Sequence, residues 1–392
     1  MRKINIGLFC DAFYPMIDGV ISVVDNYARK LSKKANVVVF VPTYKNRFFD
    51  DNTLPYKVIR VKSITIPKLD YVLPVPKLDR KFIKDLEIYK LDIIHIHSPA
   101  TIGMTALKYA KENNIPVIST LHSQYKQDFQ NYTHSKILTK IATKKIVNIF
   151  NSCDECWAVN KGVSELFYYD YGLKRLPRVI VTASDMLPVK NIKKACKIIN
   201  EKHHISPDEK VFLFVGRLYK LKNILFIVDA LKELDKKVSF KYKMLYVGTG
   251  DGEELLRKHI RDNHLDDKII LCGRVDDREL LSYYYVRCDL FLFPSIYDTN
   301  SLVQKEAASQ KKPTIFIENS ITASDIINNE TGFITKKNPK EYSDKIIEVL
   351  DDKQLYNKVA NNAYKRVYCT WDDIVNESYD IYLEIIDKYQ NR

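Results

Sequence analysis

Short apolar runs alternate with longer amphipathic segments along the whole chain. The runs are nearly continuous in Val, Ile, Leu and Phe, which is typical of strands buried on both faces of a parallel sheet. They lie at 4–10, 36–42, 56–61, 92–98, 116–122 and 155–160, and again at 210–216, 243–248, 268–273, 290–295, 313–317 and 332–335. Because helix-length segments separate them, the pattern predicts an α/β fold with two doubly wound sheets.

The pattern is interrupted between Gly172 and Lys210, where two prolines precede a short helix predicted at about 191–203. We place a linker near 183–190, an N-terminal domain at 1–185 and a C-terminal domain at 186–370. Two such domains facing each other would leave a cleft at the carboxyl ends of their strands, where open α/β sheets bind ligands. Candidate chemistry is therefore expected in the segments that follow strand ends.

Composition and charge narrow the class of protein. A chain of 392 residues with 46% hydrophobic and 28% charged residues is typical of a globular protein of two domains. Asn5 and Asp11 interrupt the first apolar run, which is too short for a signal peptide, and no window reaches the roughly 18 apolar residues of a membrane span. We expect a cytoplasmic protein, or one peripheral on the inner face of the cell membrane.

The net charge of +13 belongs mainly to the N-terminal half. Residues 1–185 carry 28 Lys and Arg against 17 Asp and Glu, whereas residues 186–392 carry 34 against 32. Any anionic partner is therefore expected to meet the N-terminal half. Because no nucleic-acid motif accompanies the charge, an anionic membrane surface or a phosphorylated acceptor is the better candidate.

Cysteine and histidine patterns favour packing over metal binding. The seven scattered cysteines fit reduced thiols in a cytoplasm. Cys153 and Cys156 form a lone CxxC, for which two packed thiols are favoured over a zinc or redox site. His95 and His97 end an apolar run, and the pattern favours strand-end histidines near a cleft over a metal site.

Several strand ends carry residues suited to binding an anion or a sugar. Gly19 follows the first strand and lets backbone approach a ligand before a helix predicted near Val20. His122 ends the strand at 116–122, where a ligand contact and a packed histidine remain equally open. Arg217 and Lys222 follow the strand at 210–216. They are either an anion-binding pair or solvated surface charges, and the sequence leaves both interpretations open.

Two further segments of the second half follow strand ends. VGTGDGEEL, after the strand at 243–248, could be a nucleotide loop or a common strand-to-helix turn. PSIYDTNSLVQKEAASQ, residues 294–310, holds Asp298 and Glu306 eight positions apart. Ser301 begins a capping box, so a helix is predicted there with its positive end toward a phosphate. Leu302 and Glu306 share a face, which turns Glu306 inward.

A nucleotide diphosphate at this helix start would leave one carboxylate near a ribose diol and the other near a sugar. Together the segments resemble the GT-B retaining glycosyltransferases of glycosyltransferase family 4, across essentially the whole chain. The matching pieces are DAFYPMIDGV, STLHSQY, VGRLYKLKN, VGTGDGEELL, LCGRV, FPSIYDTNSLVQKEAAS and TWDDIVNESYDIYLEII. The resemblance implies two Rossmann-like domains and a last helix, 371–392, that returns to the N-terminal domain.

The resemblance also implies residue roles. Arg217 and Lys222 would neutralise the donor diphosphate and stabilise the departing nucleotide. Glu306 would hold the ribose, Asp298 would face the donor sugar and His122 its outer hydroxyls. The implied catalytic set is Arg217, Lys222, Asp298 and His122, and the implied donor-binding set is Gly19, Gly216, Gly248, Gly250, Val275, Asn300, Ser301, Leu302, Val303 and Glu306. No metal or cofactor is implied.

The chain departs from the family pattern in places that bear on the donor. Asp298 replaces the usual first glutamate, as it does among relatives that glycosylate diacylglycerol, and Asn300 with Ser301 stands where many members have an aromatic residue and glycine. Asp18 replaces the first glycine of a frequent pair, and 182–185 replaces a common Asn-Gly turn.

The expected function is transfer of a hexose, first of all glucose, from a UDP-sugar with retention of configuration. The acceptor would be a lipid or glycan hydroxyl in membrane glycolipid or cell-envelope polysaccharide synthesis. Two alternatives stay open, namely a nucleotide-sugar epimerase or hydrolase of the same fold and a non-catalytic adaptor on a membrane surface.

Two segments of the N-terminal half could meet the acceptor. In 135–150, Lys136, Lys140 and Lys144 form a row, with Ile137, Leu138, Ile141 and Ile149 largely on another face. That pattern fits an interfacial helix, although a helix docked on its own core is favoured. The stretch 45–81, with Arg47, Phe48, Phe49, Tyr56 and Tyr71, is predicted as variable loops that line an acceptor site or simply cover the surface.

Overall fold

Each of the twelve apolar runs forms a strand in a parallel sheet, as predicted. The computed structural model describes residues 2–16, 18–45, 47–66 and 71–391. The chain divides into two compact units, Met1–Thr182 with Trp371–Arg392, and Ala183–Thr370. The sequence places its domain boundary three residues later, at 185.

The first unit is built on a seven-stranded sheet. The strands of this unit are β1 (Asn5–Phe9), β2 (Asn36–Pro42), β3 (Lys57–Val61), β4 (Ser63–Thr65), β5 (Val72–Pro74), β6 (Ile93–Ile96), β7 (Val117–Leu121), β8 (Glu155–Ala158) and β9 (Arg178–Val179). Of these nine, β4 and β5 lie outside the seven-stranded sheet and pair with each other. Its helices are α1 (Gly19–Leu31), α2 (Arg80–Ile88), α3 (Thr101–Glu112), α4 (Tyr125–Thr133), α5 (Lys136–Phe150) and α6 (Lys161–Glu165), the last continued by a π-helical turn, Leu166–Asp170. The sheet order is β3-β2-β1-β6-β7-β8-β9, so the strand order reverses beside β1.

The second unit repeats this plan with six strands. They are β10 (Lys210–Val215), β11 (Tyr242–Val247), β12 (Ile269–Gly273), β13 (Leu290–Phe293), β14 (Thr314–Ile317) and β15 (Phe333–Thr335), in the order β12-β11-β10-β13-β14-β15. The helices are α7 (Ile192–His203), α8 (Ile224–Asp235), α9 (Glu253–Asp262), α10 (Arg278–Arg287), α11 (Leu302–Ser309), α12 (Pro339–Asp351) and α13 (Lys353–Arg366). The order reverses between β10 and β13, which is where open sheets of this kind bind ligands.

The C-terminal helix α14 (Trp371–Gln390) packs within the first unit. Tyr382 is fully buried and its ring stacks on Trp157 with centroids 5.4 Å apart. The hydroxyls of Tyr27 on α1 and Ser378 on α14 lie 3.0 Å apart. Buried aromatic stacking and a buried hydrogen bond thus fix α14 against α1 and the sheet.

Part of the segment predicted as loops is ordered. In 45–81, β4 and β5 form a small antiparallel pair that the sequence does not predict, because each strand has only three residues. Asn46 and residues 67–70 of this stretch lie outside the described residues. Phe48 is 88% exposed and Tyr71 is 50% exposed, so the segment presents aromatic rings to solvent.

Helix α5 docks through a different face from the one that the sequence favours. Its buried residues are Thr139, Thr143, Val147 and Phe150. Ile137, Leu138 and Ile141 are exposed by 74%, 54% and 60%, beside the exposed lysines. The helix is therefore docked with its lysines exposed, as the sequence favours, but Ile137, Leu138 and Ile141 lie outside the docked face, and only Ile149 of that predicted face packs partly against the core.

Candidate active site

The second unit brings Lys222 and Asp298 together at the carboxyl ends of β10 and β13. Lys222 ends a single helical turn, Lys220–Lys222, after β10, and Asp298 lies in the loop after β13. Because these strands are neighbours, the loops meet, and Lys222 Nζ lies 2.9 Å from Asp298 Oδ1. The side chains are 18% and 17% exposed.

The second carboxylate oxygen of Asp298 is the unusual atom of this pair. Within the described residues, Asp298 Oδ2 is buried and has no hydrogen-bond partner. A buried carboxylate oxygen without a donor is costly, and such groups in native proteins are usually satisfied by a ligand or water. A hydroxyl group of a bound ligand would remove this cost.

Arg217, predicted to act with Lys222, has a different partner. Its guanidinium lies 3.5 Å from Asp251 Oδ1 and over the Tyr219 ring, and its side chain is 65% exposed. A surface ion pair of this kind contributes little free energy. Arg217 can therefore turn toward an anionic ligand at small cost, whereas Lys222 is already held in place.

The glycines of the two neighbouring loops are required by backbone conformation or by packing. Gly216 has a φ of +149°, and a Cβ on it would lie 3.5 Å from Lys222 Nζ. A Cβ on Gly248 would lie 2.0 Å from the Gly216 carbonyl oxygen, and one on Gly250 would lie 2.4 Å from the Leu218 carbonyl oxygen. A side chain at position 248 or 250 would therefore clash with backbone and force the loops apart, whereas at position 216 it is the positive φ that favours glycine. Contact between these glycines and a ligand stays a prediction.

Glu306 is buried on α11, as predicted, and both of its carboxylate oxygens accept hydrogen bonds. Arg278 Nη2 donates to Oε1 at 2.8 Å, and the Tyr285 hydroxyl donates to Oε2 at 2.8 Å. Burial, together with the adjacent carboxylate, raises the pKa of Tyr285 well above its usual value, so the phenol keeps its proton as a donor.

Sequence patterns do not identify Arg278 and Tyr285 as part of this site. Both lie on α10, 28 and 21 positions before Glu306, and only the packing of α10 beside α11 brings them together. The general signal is that a buried carboxylate needs donors. It says that partners exist without saying where they are in the chain.

The start of α11 lies between the two acids in sequence. Ser301 is the N-cap, and its hydroxyl accepts a hydrogen bond from the Gln304 amide at 3.2 Å, which confirms the predicted helix start. Asn300, Leu302 and Val303 surround this start and are partly exposed. Val275 lies in the loop after β12 and packs partly against the core.

In the first unit, Gly19 opens α1 and leaves free space. A Cβ on Gly19 would meet no atom within 4 Å, so packing within the protein does not require a glycine there. Asp18, which departs from the family pattern, is the N-cap, and its carboxylate accepts a hydrogen bond from the Ile21 amide at 2.8 Å. The departure at Asp18 therefore has a structural role.

His122 belongs to a buried cluster of three histidines. Its Nε2 lies 3.1 Å from His97 Nδ1, while His95 contacts the hydroxyls of Tyr382 at 2.6 Å and Thr120 at 2.7 Å. Burial lowers the pKa of His122 to about 4. Burial, together with the nearby His122, lowers the pKa of His95 to about 3. The imidazoles are thus neutral near pH 7 and act as hydrogen-bonding groups.

The CxxC thiols are packed against backbone. Cys153 Sγ donates to the Ile149 carbonyl and Cys156 Sγ to the Phe150 carbonyl. Among the described residues, no group of three or more His, Cys, Asp or Glu is arranged to hold a metal ion. In the same part of the chain, every helix is too short or too polar to cross a membrane.

Two doubly wound parallel sheets, the second with an ion pair at its switch point, indicate the GT-B class of glycosyltransferases. Comparison with known proteins agrees, since residues 178–366 match the family model "Glycosyl transferases group 1" and residues 17–183 match "Glycosyltransferase Family 4". Together the two matches cover residues 17–366, so the chain is a glycosyltransferase with a family 4 domain followed by a group 1 domain, as its motifs predict.

Its relatives include enzymes of glycolipid synthesis. The chain is 26% identical to the alpha-monoglucosyldiacylglycerol synthase of Acholeplasma laidlawii, over 98% of each chain. It is 28% identical to the synthase of the same name from Streptococcus pneumoniae, over 79% of this chain and 70% of that one. The crystal structure of Anabaena HepE in complex with UDP and glucose superposes with a TM-score of 0.75 at 16% identity, covering 96% of this chain and 98% of HepE.

Proposed function

We propose that this glycosyltransferase moves glucose from UDP-glucose to the hydroxyl of a diacylglycerol-type lipid, with retention of configuration and without a metal ion. The choice of a nucleotide-sugar donor is supported by the Lys222–Asp298 ion pair, in which Asp298 Oδ2 has no hydrogen-bond partner among the described residues. A sugar diphosphate offers both an anion for Lys222 and a hydroxyl for that oxygen. The names of the two synthases support glucose and diacylglycerol.

The proposed chemistry needs charge stabilisation more than a protein nucleophile. The acceptor oxygen bonds to the anomeric carbon on the face that the nucleotide leaves, the bond from that carbon to the phosphate oxygen breaks, and a donor phosphate oxygen takes the acceptor proton. Lys222, the positive end of α11 and Arg217 stabilise the charge that develops on the diphosphate. The role of His122 stays a prediction of the family resemblance.

The acceptor half of the proposal rests on the outer face of α5. Ile137, Leu138 and Ile141 are exposed apolar side chains next to the exposed lysines of the same helix. A surface that combines apolar side chains with several lysines fits an anionic lipid interface, where apolar burial and attraction to headgroups add together. The excess positive charge of residues 1–185 supports the same partner.

The function is tested with the purified chain, radiolabelled UDP-glucose and vesicles that contain diacylglycerol and anionic phospholipid. We expect labelled monoglucosyl lipid with an α linkage, formed equally well in the presence of EDTA. Release of free glucose or an epimerised donor without lipid would indicate a hydrolase or an epimerase. Membrane binding without consumption of any UDP- or GDP-sugar would indicate an adaptor, and a labelled glycan in place of the lipid would correct the acceptor.

The membrane surface gives a separate prediction. Replacing Lys136, Lys140 and Lys144 together by glutamine should weaken binding to anionic vesicles about 100-fold, since each lysine near such a surface contributes about 1 kcal/mol. Co-sedimentation with vesicles of varied phosphatidylglycerol content measures this.

The matched control replaces Lys193, Lys194 and Lys197 on α7, three exposed lysines whose loss changes the net charge equally. Equal loss of binding in both variants would show that net charge alone, and not the α5 face, attracts the membrane.

A further inference from the structure

Hydrogen-bond donors of the protein hold both oxygens of the buried Glu306 carboxylate. Arg278 binds Oε1 and Tyr285 binds Oε2, each at 2.8 Å. The Tyr285 ring is fully buried, and the Glu306 side chain is 7% exposed. Two directed hydrogen bonds on opposite oxygens leave the carboxylate one orientation, because rotation about its last bond would break both.

Arg278 makes a second ion pair that links this network to the start of the second unit. The same Nη2 atom also donates to Asp185 Oδ1. Asp185 lies in the segment 182–185, where the chain departs from the common Asn-Gly turn of its family. Burial would lower the pKa of Arg278, but the nearby carboxylates of Glu306 and Asp185 raise it above its usual value, so the guanidinium stays charged.

The remaining capacity of the carboxylate points to a hydroxyl-bearing ligand. Each carboxylate oxygen can accept two hydrogen bonds, so Arg278 and Tyr285 leave sites open on both oxygens of Glu306. Neighbouring hydroxyls on one ring, such as a ribose diol, can use one site on each oxygen. This requires that the plane of the carboxylate be held in advance, since a freely rotating carboxylate loses entropy on binding.

We propose that Arg278 is a positioning residue, which orients the Glu306 carboxylate for the ribose diol of the donor nucleotide without touching the nucleotide itself. The proposal rests on the proposed function, in which the donor is a nucleotide sugar, and on the family resemblance, which implies that Glu306 holds the ribose. Asp185 binds the same guanidinium and keeps it at the position from which Arg278 Nη2 reaches Glu306.

The test compares nucleotides that differ only at the ribose. Calorimetric titration with UDP and with 2′-deoxy-UDP is carried out on the wild-type chain, Arg278→Gln, Arg278→Lys and Arg257→Gln. Arg257 is the matched control, because it is a similarly exposed arginine of the same unit paired with Glu253 at 2.7 Å. Wild type and Arg257→Gln should bind UDP about tenfold or more tightly than the deoxy compound.

We expect Arg278→Gln to lose about tenfold in UDP affinity and almost nothing in affinity for 2′-deoxy-UDP, so the preference for the ribose disappears. Arg278→Lys should retain part of it, since lysine keeps the charge without the planar guanidinium. An undiminished preference in Arg278→Gln, or an equal loss for both nucleotides, would overturn the proposal. If Arg278→Gln does not fold, Tyr285→Phe removes the other hydrogen bond and must reduce the same preference.

Failure of the proposed function has a different signature. A wild-type chain that binds neither UDP nor GDP would overturn the donor assignment and this inference with it. A wild-type chain that binds UDP and 2′-deoxy-UDP equally would overturn the inference alone.

Discussion

Replacing Lys222 by methionine is expected to lower the rate of glycosyl transfer by about 10³-fold. Lys222 is the cation held at the end of β10, and its charge would act on the diphosphate oxygen that gains negative charge as the sugar leaves. Removing one such preorganised group usually costs two to three orders of magnitude in turnover. Steady-state rates at saturating donor measure the effect on kcat.

The same substitution should also destabilise the fold, which has to be separated from catalysis. Without Lys222, the mostly buried Asp298 carboxylate keeps no cation, at a cost of about 2–3 kcal/mol, less than for a fully buried pair because both groups retain some exposure. The double variant Lys222→Met with Asp298→Asn removes both charges, so its melting temperature should recover while its activity does not.

Lys210→Met provides the matched control for this prediction. Lys210 begins the same strand, at the opposite end of the sheet, and its Nζ lies 3.8 Å from Asp289. The Lys210→Met variant should keep near-wild-type turnover. Recovery of activity in the Lys222 and Asp298 double variant would contradict the proposal, because neither the Lys222 charge nor the Asp298 carboxylate would then be needed for transfer.

The strands could be predicted because the signal is local. A strand buried on both faces must be apolar throughout, so each run of Val, Ile, Leu and Phe marks one strand. The start of α11 is equally local, since Ser301 caps an amide only three residues ahead. The positions of the acids and cations at strand ends follow from these elements.

The partners of the charged residues could not be predicted in the same way. Arg217 and Lys222 are close in sequence, yet one pairs with Asp251 and the other with Asp298, because different neighbouring loops reach them. The partners of Glu306 come from another helix. Tertiary packing decides such contacts, and hydrophobic periodicity contains no information about it.

The face of α5 shows the complementary limit. Its buried side includes Thr139 and Thr143, while more apolar side chains of the same helix are exposed. The Thr143 hydroxyl donates to the Thr139 carbonyl, so a polar side chain is buried without losing its hydrogen bond. Periodicity assumes that the most apolar face is the buried one, and that assumption fails on α5, where threonines are buried and apolar side chains are exposed.

Replacing Glu306 by alanine is expected to reduce kcat/KM by about 10²- to 10³-fold and also to destabilise the second unit. Each hydrogen bond from a ribose hydroxyl to a charged acceptor contributes about 1.5–3 kcal/mol, so losing both accounts for the kinetic effect. The substitution also leaves the buried Tyr285 hydroxyl without its acceptor, which costs about 1–3 kcal/mol more in folding. Kinetics over a range of donor concentrations and thermal melting measure the two effects.

Glu306→Gln separates these contributions. The glutamine amide keeps an oxygen that can accept a hydrogen bond from Tyr285. The melting temperature of Glu306→Gln should therefore fall by only a few degrees, which is less than the fall in Glu306→Ala. The amide nitrogen cannot accept a hydrogen bond from a ribose hydroxyl, and it places a second donor opposite the Arg278 guanidinium. The kcat/KM of Glu306→Gln should therefore fall nearly as far as that of Glu306→Ala. Glu348→Ala, which removes an exposed glutamate of α12 paired with Lys345, should change neither quantity appreciably. Near-wild-type kcat/KM in Glu306→Ala would show that Glu306 stabilises the unit without binding the donor.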